Sequence, residues 1–457
     1  MNLRGRAAPT GSRRLLVIAY DFGHNGNVGG LRWAGITKYL GRLGWKVAVV
    51  TAVPPVGSAP PIDAQVERCP RLGTLFDGYR LLRRLASRSS GASSKNGSGA
   101  APRSGLPGTL RQLANEVVTL LTLPDESHGW MLRATVRARS VIRRFRPHVV
   151  VSSGPPHAAH LVAGMATIGS AARWWIDLRD PWAGPIETVW QSHWRLGTRV
   201  FRTIAPLLER FAFRAADGVI TNTTQLADVL AAKYPDVPFV SVPNGVDLET
   251  VPPAPTARER FPGLGLAHVG KLYAGRDLRP VVLALRTFLD RHPDAAAAGS
   301  KLRIAGAADP RNVEAFTRAV AETGLEQHVD ALGVLSRTEA LNVVSRSRLV
   351  FVLAQEQELQ IPAKLYESVA MRVPTLVVAP PDSAAGMEGK RLGALVCDSS
   401  DVAGIAGVLE QLWRDGVRDP SPCPVPITYD AIAPLIDRVL MMAVPVAPTR
   451  QAAAASV

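Results

Sequence analysis

Three groups of residues carry side chains whose types and spacing suit chemistry. In the first, Gly270-Lys271-Leu272-Tyr273-Ala274-Gly275-Arg276-Asp277 follows an apolar strand and precedes a helix, so backbone N–H groups and two cations, Lys271 and Arg276, gather at one strand end. That combination suits an anion such as a diphosphate, because charge-assisted hydrogen bonds are stronger than neutral ones. In the second, Gln360-Ile361-Pro362-Ala363-Lys364-Leu365-Tyr366-Glu367, Pro362 is placed to start a helix, and Glu367 falls within its first two turns. Lys364 reads equally as added charge for that anion and as an exposed helix lysine. The third, Asp177-Leu178-Arg179-Asp180-Pro181-Trp182, sets two carboxylates and a guanidinium at a strand end, and Pro181 keeps the chain from continuing in helix. Either one acid orients a hydroxyl while Arg179 holds its partner in an ion pair, or the pair is structural and pins the loop. His157 and His160 follow another strand end, and Gly29 and Gly30 lie at a strand-to-helix turn that can meet anions or sugar hydroxyls.

The elements that must position these groups repeat a strand–helix rhythm twice. Apolar runs at 15–20, 46–51, 148–152, 173–177 and 218–222 read as strands buried on both faces, with helices at 31–43, 131–146, 160–172 and 196–216. The rhythm restarts with strands at 266–269, 301–305, 329–332, 348–353, 375–379 and 393–397 and helices at 280–292, 312–322, 338–345, 363–371 and 402–413. This predicts an α/β protein of two Rossmann-like domains facing each other across a cleft, 15–245 and 246–427, with functional loops at strand ends. A basic leader (1–14) precedes them, a Ser/Gly/Pro-rich insertion (87–108) interrupts the first, a helix at 428–443 crosses back to it, and a loose tail (444–457) follows.

With 457 residues, 47% hydrophobic and 20% charged, the chain is long enough for several cores and is neither fibrous nor wholly disordered. Its cysteines, Cys69, Cys397 and Cys423, are far apart and form no CxxC pair, which leaves no disulfide framework or cysteine zinc site and points to the reducing cytoplasm. The start lacks the apolar core of a secretory signal, and no apolar run is long enough for a transmembrane helix. Asp177 and Asp180 are three apart rather than two, so no Asp-x-Asp metal site is expected. Residues 1–146 hold 23 Lys/Arg against 7 Asp/Glu, while 147–457 hold 30 against 31, so the whole positive excess lies in the first third. Its densest source is 131–146, with six arginines and no acid. That helix is either a solvated face or a contact for anionic headgroups at the inner face of the membrane; no DNA- or RNA-binding motif accompanies it, and nucleic acid is not expected.

The stretches VVSSGPPHAAH, IDLRDPW, ITNTTQ, VPNGVD, HVGKLYAGRD and IPAKLYESVAMRVPTLVV, together with Gly29-Gly30 and Arg32, resemble in order and spacing glycosyltransferase family 4, of GT-B architecture, in its Pro-x-Lys-x-Tyr-Glu branch. The resemblance runs from Leu15 to about Trp413. It implies a retaining, metal-independent glycosyltransferase without a cofactor, moving a sugar from a nucleotide-diphosphate donor to a hydroxyl of a glycan or lipid-linked glycan in cell-surface or extracellular polysaccharide synthesis. It further implies that Lys271 and Arg276 clamp the leaving diphosphate, that Glu367 accepts from the ribose hydroxyls, that a histidine, His157 or His160, meets the donor sugar, and that the first domain supplies the acceptor side through Asp177 or Asp180. Many relatives carry a second glutamate where this chain has Leu359; Glu358 and Glu356 are the nearest acids. Two other readings stand beside it, a sugar-nucleotide epimerase and a non-catalytic scaffold subunit.

Overall fold

The computed structural model describes residues 13–23, 28–52, 64–78, 108–183, 198–253, 255–256, 259–273, 275–416 and 427–442. The expected leader apart from Arg13 and Arg14, the insertion apart from Gly108, and the tail all lie outside these residues. Two compact units emerge. One comprises the chain up to Asn222, Leu226–Val242 and the chain from Ala433 onward; the other comprises Pro243–Ile432 with Thr223–Gln225.

The first unit is built on seven parallel strands, β1 (Arg14–Ala19), β2 (Lys46–Thr51), β3 (Ala64–Arg68), β4 (Val149–Gly154), β5 (Arg173–Leu178), β6 (Gly218–Thr221) and β7 (Phe239–Ser241), in the order β3-β2-β1-β4-β5-β6-β7. The second has six, β8 (Gly265–Val269), β9 (Lys301–Ala305), β10 (Val329–Gly333), β11 (Leu349–Leu353), β12 (Thr375–Val378) and β13 (Leu395–Cys397), in the order β10-β9-β8-β11-β12-β13, again parallel. Central strands such as β1, β4 and β11 are buried nearly throughout, which is why the sequence shows them as unbroken Val/Ile/Leu runs. In each sheet the strand order reverses beside the first strand, at β1/β4 and at β8/β11. Loops leaving the carboxyl ends at such a switch point diverge and leave room for a ligand.

Phe288 and Leu285 of helix Arg279–Arg291 and Ile405 and Leu409 of helix Val402–Arg414 pack with Leu302 and Leu376 into the second unit's core. Helix Tyr429–Met441 is the crossover helix, and from Ala433 on it belongs to the first unit. Its Asp437 accepts from Trp45 Nε1 at 2.8 Å and from Arg13, and Ile436 and Leu440 are fully buried. Helices Gly108–Leu121, Thr224–Lys233 and Ala384–Arg391, and strand β3, were not anticipated from the sequence. No helix among the described residues is long and apolar enough to cross a membrane.

Candidate active site

At the switch point of the second sheet the loop after β8 and the loop after β11 meet. Gly270 N–H donates to Ala305 at 2.7 Å, and the chain passes so close to the end of β9 that a Cβ on Gly306, whose φ is +137°, would fall 2.0 Å from the Gly270 carbonyl oxygen. Only glycine fits there. The Tyr273 ring neighbours two cations, with the Arg276 guanidinium 4.5 Å and the Lys271 ammonium 6.0 Å from its centroid. Two glutamines of the loop after β11 hold this arrangement. Gln357 Oε1 accepts from Arg276 Nη2 at 2.9 Å while its Nε2 donates to the Tyr273 hydroxyl at 3.1 Å, and Gln355 Oε1 accepts from the Asp277 N–H at 3.2 Å. Between them Glu356 sets its carboxylate over Gly275, where a Cβ would fall 2.2 Å from Oε2. Of the two acids nearest Leu359, Glu356 is thus in the Arg276 loop.

The same loop runs on into helix Ala363–Ala370, capped by Pro362 as its sequence position requires. Lys364, in the first turn, reaches back over the β8 loop: a Cβ on Gly270 would lie 2.5 Å from its Nζ. Burial, and then the neighbouring Arg276 and Arg337 charges, pull the Lys364 pKa down to about 8 against the opposing pull of Glu367. Lys364 therefore senses both Arg276 and Glu367, and all belong to one cluster. Glu367 Oε1 accepts from Arg337 Nη1 at 2.7 Å, in a pair of which both side chains are largely buried. Arg337 opens helix Arg337–Arg346, whose start is fixed by a reciprocal Ser336–Glu339 cap. Beneath the cluster, His268 Nδ1–H donates to the Phe351 carbonyl at 3.0 Å, which leaves Nε2 as a buried acceptor without a partner among the described residues. Burial, then the Lys364 charge, holds its pKa near 3, so the ring is neutral at physiological pH.

The first unit's strand ends are organised differently. Asp177, at the end of β5, is wholly buried; Oδ1 accepts from Arg32 Nε at 3.0 Å and Oδ2 from the Ser153 hydroxyl at 2.9 Å. A carboxylate orienting a hydroxyl was one expectation for Asp177, and an ion pair with Arg179 that pins the loop the other. In the structure it is an internal anchor whose cation is Arg32, and Arg179 instead donates to the carbonyls of Gly154 and Pro155 at 3.1 and 2.6 Å. Arg32 also donates to the Val242 carbonyl at 2.9 Å, joining the helix after β1 to the end of the unit. Asp180 keeps part of its surface exposed. Both histidines are buried: His157 stacks on Trp182 with centroids 5.0 Å apart, and His160 Nδ1 lies 2.9 Å from the Ser152 hydroxyl. That hydroxyl accepts from Trp174 Nε1 at 2.9 Å, so the network is best satisfied when it donates to His160 Nδ1 and the ring carries its proton on Nε2. Burial holds the His160 pKa near 3. Gly29 and Gly30 lie inside helix Val28–Arg42, and Gly23 N–H donates to the Gly30 carbonyl at 3.0 Å. The arginine helix is Met131–Phe145; its Arg137 and Arg144 pair with Glu67 of β3, an acid the sequence gave no reason to connect to it.

Among the described residues no three His, Cys, Asp or Glu side chains gather as metal ligands. Sequence reasoning missed Arg337, His268, Gln355 and Gln357. Arg337 stands 30 residues before Glu367 and reads only as a helix start, while His268 sits inside the HVGKLYAGRD stretch, where its strand position looks structural.

Two doubly wound parallel sheets with ligand-type loops at their switch points define the GT-B class, and solved structures agree. The chain is similar in fold to sucrose-phosphate synthase from Thermosynechococcus elongatus (TM-score 0.59, 14% identity, covering 97% of this chain and 100% of that one). It is similar also to HepE from Anabaena in complex with UDP (TM-score 0.52, 12% identity, 94% and 95% covered). A putative UDP-N-acetylglucosamine 2-epimerase from Listeria monocytogenes shares the architecture as well (TM-score 0.50, 14% identity, 94% and 95% covered). No curated protein matches the sequence. Residues 98–250 match the family described as Glycosyltransferase Family 4.

Proposed function

We propose that the protein is a retaining glycosyltransferase that moves a sugar from a nucleotide-diphosphate donor to a hydroxyl of a glycan or lipid-linked glycan in polysaccharide synthesis. The observation that carries this reading is the second unit's cluster, where Lys271, Arg276 and Lys364 converge at the β8/β11 switch point beside Glu367. Departure of a nucleoside diphosphate builds negative charge, and preorganised cations stabilise it without a metal. Arg276 is held for that task by Gln357 and the Tyr273 ring, and the missing Cβ of Gly270 leaves room for the Lys364 ammonium. Arg337 holds Oε1 of Glu367, which leaves Oε2 to accept from a ribose hydroxyl. Glu356 is the acid placed to meet the donor sugar in place of Leu359. In the first unit, Asp180, with its remaining exposed surface, is the acceptor-side candidate, and the positive excess of residues 1–146 serves contact with the anionic inner face of a membrane.

A thermal-shift screen with UDP-, GDP- and ADP-sugars tests the donor site. A donor at about 100 times its Kd adds about 2.7 kcal/mol of stability. At least one donor should raise Tm, and Arg276→Ala should abolish the rise while leaving the unliganded Tm in place. No shift with any donor, or an equal shift in the variant, defeats the reading. The fold shared with an epimerase favours a second reading, which predicts conversion of the free sugar nucleotide without any acceptor.

A further inference from the structure

We infer that helices Gly108–Leu121 and Arg199–Ala215 of the first unit form a surface that inserts apolar side chains into an anionic lipid bilayer. This adds to the membrane contact proposed above a second surface, separate from the arginine helix. It rests on the glycosyl-transfer reading only for the acceptor's lipid anchor. The two helices pack directly on one another, and Glu116 fixes their register, its two carboxylate oxygens accepting from the N–H groups of Arg199 and Val200 at 2.7 and 2.8 Å. On the first helix Leu113, Val117, Leu120 and Leu121 recur at helical spacing and are 61%, 49%, 55% and 43% exposed, on the side opposite the buried Thr119. On the second, Leu207 and Phe211, one turn apart, are 59% and 63% exposed. Six large apolar side chains on one pair of helices exceed the scattered exposed leucines of an ordinary surface.

The surrounding charge selects the occupant. Arg199, Arg202, Arg210 and Arg214 are all exposed. The acids of the two helices are Glu116, engaged as above, and Glu209, which is fully buried and accepts from Ala183 N–H, Lys233 and the Tyr234 hydroxyl. Among the described side chains of the two helices, the exposed charges are these arginines, while Glu116 is held by two backbone N–H groups. Apolar side chains rimmed by guanidinium groups match a layer of anionic headgroups over acyl chains, with the arginine stems lying along the apolar surface and their heads in the phosphate plane. A second copy of the chain would bring these arginines against their duplicates.

The test uses the full chain and vesicles of phosphatidylcholine alone or mixed equally with phosphatidylglycerol. Flotation should show binding to the anionic vesicles at least about tenfold tighter than to the neutral ones. Combining Leu113→Gln, Val117→Gln and Leu120→Gln should weaken it by about tenfold or more while leaving cooperative melting unchanged. Phe211→Ser alone should weaken it less. Equal binding to both vesicles, or a triple variant that binds like the unsubstituted chain, overturns the proposal. So does light scattering that finds a dimer which the triple variant converts to monomer. The donor-induced thermal shift of the triple variant should be unchanged; its absence in both proteins would indict the glycosyl-transfer reading and leave the bilayer surface standing.

Discussion

The two sheets of this protein share a doubly wound order, yet the charged groups at their strand ends are used differently. At the end of β5, Asp177 accepts from Arg32 and Ser153, Arg179 donates to two carbonyls, and Ser152 bonds His160 and Trp174, so these groups serve as internal anchors of the first unit. At the end of β8, Gln357 accepts from Arg276, Glu367 accepts from Arg337, and burial together with the neighbouring cations loosens the proton on Lys364. Several cations gathered at one strand end mark a candidate anion site, whereas a carboxylate bonded to a buried arginine marks an anchor.

The contrast yields three graded tests. Asp177→Ala strands the buried Arg32 guanidinium, so urea unfolding should show about 3–5 kcal/mol lost. A well-folded variant with altered turnover would instead make Asp177 part of the chemistry. Lys364 comes next, and its effect should fall on binding. It is a cation below about pH 8 and loses its proton above that. A diphosphate favours the cation, so donor affinity should be constant below this value and fall as pH rises through it, by at most about tenfold per unit. Calorimetry with the donor that gives the thermal shift should find the fall absent in Lys364→Arg, which stays charged throughout. A pH-independent affinity in the unsubstituted chain would separate Lys364 from the anion. The smallest effect belongs to Glu67, whose pairs with Arg137 and Arg144 are partly exposed; Glu67→Gln should change stability by no more than about 1 kcal/mol.

Strands β1, β4, β8 and β11 were legible because both of their faces are buried, which writes an apolar run into the sequence. Strand β3, Ala-Gln-Val-Glu-Arg at the sheet edge, has no such run and was invisible. Helix Gly108–Leu121 was hidden for a related reason: its apolar residues point outward, so the periodicity marks no core-facing side. The cations at 271, 276 and 364 could be found because each sits at a strand end or helix start that local sequence defines. The partners could not. Arg32 lies 145 residues from Asp177, and the sheet order that joins them is a property of the whole unit. Arg337 and Glu367 are likewise brought together only when β10 and β11 take their places.

The first unit is discontinuous in the chain: Ile436 and Leu440 fill its interior and Asp437 ties down Trp45, yet all three are made after the whole of the second unit. During synthesis the later half has every residue of its own core available before the earlier half does. Ribosomes that stop short of residue 433 would release a chain whose amino-terminal sheet lacks part of its packing, so a product clipped at Val242 should be a poor stand-in for the intact unit.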